Sequence, residues 1–290
     1  MKSIIYFFLA IVILCTLTSE LPLHPDNNKI ILLKPAAGNF TSSGLQQTAK
    51  IISARLKIYG LENYEVAAIP GKDQIKVNIP ENIALSEVEG LLTMKGDIAF
   101  YETFTKREVS DLLKGDNQLF RLLNSDPELS VTESKIGCIN TETQDQVNKY
   151  IESIKNPGSC KFTWNFRSFS SDKSLRCLYA LNTGNTGKPV LKRQDIENAK
   201  AEKEKDGQNF KISIILKNSA VGLWSDATRR NLNRSIAITL DNYVFSAPVV
   251  RSVIDKGLCE INGNMTQKEV VYFLSLINNE PLPMAMELVK

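Results

Sequence analysis

The feature that most constrains this chain is a succession of apolar patterns that occurs twice. Near the N-terminus KIILLKP, residues 29–35, reads as a short strand. Leu45, Ala49, Ile52 and Leu56 then recur at helical spacing, with Ser42 or Ser43 as the expected N-cap and Gly60 as the stop. YEVAAI and QIKVNI read as strands split by the turn Pro70-Gly71-Lys72-Asp73. A helix from about Leu85 to Met94 and the strand DIAFYETF complete a β-α-β-β-α-β order.

The last third repeats that order. FKISIIL is a strand, and SAVGLWSDATRRNL is a helix with Ala220, Leu223, Trp224 and Ala227 on one side. A hairpin and CEING follow. Thr266 and Glu269 form a capping box ahead of a helix that buries Val270, Phe273, Leu274 and Ile277, and PMAMELV closes as a strand. The expected fold class is α+β, with two ferredoxin-like βαββαβ lobes at residues 29–105 and 188–290. Residues 106–187 form an α+β insertion, in which LLKGDNQLFRLL and DQVNKYIESI read as helical and KFTWNF and RCLYAL as strands. The densest charge run, AKAEKEKD, reads as a solvated helix end.

Residues 1–20 are a different kind of sequence. Lys2 precedes an apolar run from Ile4 to Leu17, shorter than the roughly 17–25 residues of a membrane span. Three readings stay open: a cleaved signal, a lipoprotein signal with lipidation at Cys15, and an uncleaved anchor. All three export the chain to the cell envelope, into the periplasm, and touch the membrane only through the N-terminus. Residues 21–28 are a polar linker. Four cysteines then lie in an oxidising compartment, and Cys160 and Cys177 are placed to bridge across a hairpin.

TLDNYVFSAPVV, Thr239 to Val250, reads as a hairpin turning at Asp241-Asn242. That register sets Leu240 opposite Tyr243 and Ile238 opposite Phe245. Ile236, Ile238, Leu240, Tyr243, Phe245 and Ala247 share one face; Ala237, Thr239, Val244 and Ser246 share the other and contact something close. Pro248 ends the pairing or marks a sheet edge.

Composition argues against most chemistry. The net charge of +3 over 290 residues lacks the concentrated basic face of a nucleic-acid binder. The single histidine, His24, lies in the linker, so Ser246 has no base to activate it. TGNTGKPV departs from a phosphate loop at Asn182 and Pro189. No acidic loop has calcium-site spacing, and the cysteines do not fit a zinc site. The reading is a non-enzyme without cofactor or metal.

Three segments carry a family resemblance. The first is AKIISARLKIYGLENYEVAAIPGKDQIKVNIPEN, a helix ending in R-x-x-x-x-G followed by G-x-D-x-I-x-V-x-x-P. The second is INTETQDQVNKYI with KFTWNF and LYAL. The third runs from SAVGLWSDATRRN to LPMAMELV, with A-T-R-x-N, L-D-x-x-x-x-S-A-P-V, I-x-G-N-x-T and L-P. Together they resemble the extracytoplasmic P1 region, base plus head, of the protein-export subunits SecD and SecDF, in the form found in Bacteroidota, whose insertion the second segment matches. Asn242 stands where the family has glycine. The sequence ends at Lys290, where SecD enters further transmembrane helices, and the expectation is a freestanding P1 region. The resemblance implies an accessory of protein export that contacts unfolded exported polypeptides or Sec translocase subunits. The alternative is an interaction module of the envelope that reuses the fold for another partner. Tyr243, Phe245, Ser246 and Pro248 are the candidate contact residues.

Overall fold

The computed structural model describes residues 28–38, 41–124, 134–154, 158–166, 175–204, 209–263 and 265–289. The expectations placed on residues 1–27, including a signal or anchor and lipidation at Cys15, lie outside the described residues. The chain runs β1 (Asn28–Pro35), α1 (Ser42–Tyr59), β2 (Glu65–Ala68), β3 (Ile75–Pro80), α2 (Leu85–Thr93) and β4 (Ile98–Thr103). It continues through α3 (Lys106–Leu112), α4 (Gln118–Leu122), β5 (Lys135–Asn140), α5 (Gln144–Ser153), β6 (Cys160–Trp164) and β7 (Leu175–Asn182). The remainder is β8 (Leu191–Lys192), β9 (Ile196–Lys203), β10 (Phe210–Leu216), α6 (Asn218–Arg230), β11 (Ile236–Leu240), β12 (Tyr243–Ser246), β13 (Leu258–Gly263), α7 (Gln267–Ile277) and β14 (Met286–Leu288).

The fold is mixed α and β with antiparallel sheets, as expected, but the strands are shared out differently. The first sheet has the order β14-β1-β3-β2. Its edge beside β1 is taken by the C-terminal strand, with Leu33 opposite Leu288 and Pro35 opposite Met286. The strand expected there, β4, pairs instead with β11, from Ile98–Leu240 to Glu102–Ile236. Its Phe100 packs edge-on against Trp224 of α6, ring centroids 5.5 Å apart. The second half is likewise split: β10 lies in a three-stranded sheet, β13-β10-β9, while β11 and β12 join β4, β7 and β5. Two closed lobes in sequence order are therefore not what forms. Period-two apolar patterning specifies a half-buried strand but not its neighbour.

β7 carries β5 and β4 end to end along one side and β6 along the other. Beyond β6, Asn165 bridges Val244 of β12, and the Phe166 amide donates to the Val244 carbonyl at 2.7 Å. The strands β12-β11-β4-β7-β6 thus close on themselves around Ala237, Val244 and Leu181.

Local signals worked unevenly. The Thr266–Glu269 capping box forms, and so does Thr105–Glu108 at α3. α1 is capped not by Ser42 or Ser43 but by Thr41, whose Oγ1 accepts from the Gly44 amide at 3.1 Å. Leu223 is 56% exposed, off the α6 stripe formed by Ala220, Trp224 and Ala227. LLKGDNQLFRLL breaks at Gly115 into α3 and α4. AKAEKEKD begins as the strand β9, not a helix end; Ile196 and Ala199 are buried while its exposed charges suit an edge strand.

The disulfide differs from the expected pair. Cys177 is bonded to Cys138, its partner directly opposite on β5. Cys160 sits opposite Asn182, five residues along β7 from Cys177, a separation of about 17 Å at the usual strand rise. A hairpin brings two cysteines together only when they share a register position, and these occupy opposite ends. Cys160 and Cys259 are free and buried.

A cleft beside an open strand edge as the candidate functional site

The hairpin's turn forms where the sequence put it. Leu240 faces Tyr243 and Thr239 faces Val244, and then the register slips so that Ile238 faces Ser246 rather than Phe245. Asp241 takes the positive φ of 54° that the turn requires. Its carboxylate accepts from the Asp97 amide at 2.8 Å, and its own amide donates to the Asp97 carbonyl at 2.7 Å. Behind the turn lies the fully buried Arg55, whose guanidinium donates to the carbonyls of Met94 and Lys95 at 2.7 and 2.6 Å. Burial lowers its pKa to about 10, opposed by the nearby charge of Asp241. Gly96, at φ 78°, leaves the space this side chain occupies; a Cβ there would stand 2.5 Å from Nη2.

The four candidate contact residues have separate environments. Phe245, displaced by the register slip, stacks on Phe273 at 4.1 Å between the two largest cores. It is a packing residue. Tyr243 is 39% exposed, with Phe166 edge-on at 6.4 Å and the Arg176 guanidinium 5.8 Å over its ring. The outer edge of β12 and the turn before it are met by β6 and the chain just beyond it: besides Phe166, Thr163 donates to the Asn242 carbonyl and Lys161 reaches the Asn242 side chain. A strand could not be added there. Ser246 is half-buried opposite Ile238. Pro248 does not end the pairing. Its carbonyl accepts from the Ile236 amide, and Val250 continues with Arg234 and Asn233.

Pro248 opens onto a cleft of about 580 Å³. Trp224, Ile236 and Ile238 lie at its base, and Val249 and Leu258, 39% and 38% exposed, stand on its rim. One side is β13, an end strand of its sheet. The Leu216 amide bonds the Gly257 carbonyl, and this sets the ladder phase: residues 257, 259 and 261 face β10. Leu258 and Glu260 therefore turn their N–H and C=O groups outward, along the cleft. The opposite edge of the same sheet is blocked. Asn278 accepts from the Ala199 amide at 2.8 Å and donates to the Ala199 carbonyl at 2.9 Å, copying one residue of a strand. This cleft was not visible in the sequence. The available signs were Val249-Val250 after a proline and Gly257, which has a φ of 65° and a Cβ position 2.8 Å from Val221.

Among the described residues no group of three or more His, Cys, Asp or Glu is placed to hold a metal, and no helix is long and apolar enough to cross a membrane.

Residues 175–284 match the family model of the SecDF P1 head subdomain, a span that holds the hairpin, the cleft and β13. The protein translocase subunit SecD of Acidaminococcus fermentans is 32% identical over 104 residues, covering 36% of this chain and 25% of that protein. SecDF of Brucella abortus is 22% identical over 261 residues, 89% of this chain and 27% of that protein. The chain thus spans about a quarter of the length of these curated relatives. A solved structure titled "Structure and function of a membrane component SecDF that enhances protein export" shares the fold, with a TM-score of 0.50 and 18% identity over 90% of this chain and 98% of that one. Over most of its length the chain is similar to the P1 region of SecD and SecDF.

Proposed function

We propose that this P1-type chain acts outside the cytoplasm in protein export, beside the Sec translocase, by holding extended segments of exported polypeptides in the cleft along β13. The observation that carries the reading is the combination of a strand edge that is unpaired among the described residues and a cleft with an apolar base on the same side of that edge. A chain emerging unfolded has free backbone groups and exposed apolar side chains. Strand addition to Leu258–Glu260 satisfies the first and the base of the cleft takes the second. Main-chain pairing is indifferent to sequence, as a site for many different passengers requires. The similarity to SecD and SecDF supports the setting, and no chemical step is needed for holding of this kind.

The test uses a photo-crosslinking residue at Leu258 in the exported full chain, with a second at Ile30, which is exposed on the first sheet, as the comparison. Capture of many exported chains at Leu258 but not at Ile30 is expected. In solution, the purified protein is expected to bind a permanently reduced, unfolded polypeptide, and Leu258→Asp to weaken this on the order of tenfold, the equivalent of one lost apolar contact. Capture of a single folded envelope protein at Leu258, with unchanged solution binding by Leu258→Asp, overturns the reading in favour of a fold reused for another partner.

A further inference from the structure

A second sheet edge is unpaired among the described residues, and its surroundings differ in charge. β2 ends the first sheet. The Ile69 amide bonds the Gln74 carbonyl at 2.9 Å, which makes Ala67–Lys76 and Glu65–Asn78 the hydrogen-bonded pairs of that ladder. Val66 and Ala68 therefore point their N–H and C=O groups away from β3. Beside them runs a groove of about 510 Å³ between β2 and α1.

The lining is built from small and cationic side chains. Ala49 and Ser53 on α1 and Val66 and Ala68 on β2 leave the volume that larger residues would fill. Among the described residues the ionisable side chains on the groove are Lys50 and Lys57, both exposed, two helical turns or roughly 10 Å apart on one face, and no carboxylate lines it. We propose that this groove docks an extended, acidic segment of a partner polypeptide, which adds a strand to β2 and sets its carboxylates against the two lysines. Charge decides between occupants. A second copy pairing antiparallel through the same edge would place α1 against α1 on one face of the joined sheet, with Lys50 and Lys57 of each copy opposed. An acidic strand meets the same backbone groups with the opposite sign. The site is independent of the β13 cleft, whose base is apolar.

The probe is a fluorescein-labelled decapeptide of alternating Asp and Val, compared with one of alternating Lys and Val, titrated with the full chain by fluorescence anisotropy. Preferential binding of the acidic peptide, weakening with salt, is expected. Lys50→Glu/Lys57→Glu should reduce it at least tenfold and transfer the preference to the basic peptide. Ala68→Pro removes an outward donor without touching the β3 ladder, and should weaken both peptides while circular dichroism stays unchanged. Leu258→Asp should have no effect. Equal binding of the two peptides, or acidic-peptide binding that survives both α1 and β2 variants, overturns the proposal. So does a dimer in sedimentation that Ala68→Pro dissolves, which would make a second copy the occupant.

Discussion

Asp241 shows how one residue joins distant parts of this chain. Its positive φ and its place in a two-residue turn were readable from the sequence; its partner Asp97, 144 positions away, was not, because nothing local encodes that pairing. Burial pushes its carboxyl above the ordinary range, against the pull of the Asp97 and Gly96 amides and the Arg55 charge; Asp97 adds to the rise. A raised carboxylate pKa means that folding favours the neutral form. The associated stability is complete below the unfolded value of about 3.9 and is lost as pH rises through the folded value. Asp241→Asn keeps the acceptor oxygen and the tolerance of positive φ, and stands in for the neutral form. It should match the wild type in urea unfolding near pH 3 and exceed it at pH 7. Asp241→Ala should lose about 2–4 kcal/mol at both, from the left-handed backbone penalty and the orphaned Asp97 amide. If the asparagine variant is as damaged as the alanine one, the charge of the carboxylate outweighs the cost of its burial.

At the scale of elements, strands were found but their neighbours were not. KFTWNF and RCLYAL do form β6 and β7, yet β5, whose KIGCIN was not read as a strand, supplies the cysteine that bonds Cys177. Its short apolar run, broken by Gly137, left no clear alternation to read. The charges of β9 mislead for a related reason: a run with the pattern of a solvated helix end lies on a strand whose outer edge Asn278 plugs. Peptide mapping without reduction should therefore return a Cys138–Cys177 pair. Burial raises the thiols of Cys160 and Cys259 to about 12, with Glu260 adding to the latter, so iodoacetamide should reach both only after unfolding. The bond closes a loop of 39 residues, and the chain-entropy estimate for its loss is about 4 kcal/mol. Reduction should lower the temperature of the calorimetric transition. A Cys160–Cys177 peptide would instead mean that β6 is shifted along β7 by several residues.

For the whole molecule, the two half-sequences are not two independent bodies. The succession of elements suggested that each half closes its own sheet, but β14 completes the first sheet while β4 is given to the strands of the second half. α7 reinforces the exchange from both sides, with Tyr272 and Leu276 in the first core and Phe273 and Ile277 in the second. Unfolding of either half should therefore propagate. Met286, 3% exposed on β14, packs in the core of the first sheet and lies opposite Pro35. Met286→Asp places an unpaired carboxylate there and removes a buried thioether, at a cost of several kcal/mol. Hydrogen exchange read by mass spectrometry then has a sharp expectation. Protection should fall in β1 and β3, more than 200 residues earlier in sequence, as much as in β14, and fall less in β10 and β13. Loss confined to residues 258–289 would mean that the C-terminal strand only leans on a sheet that stands without it, and that the first lobe closes by other means.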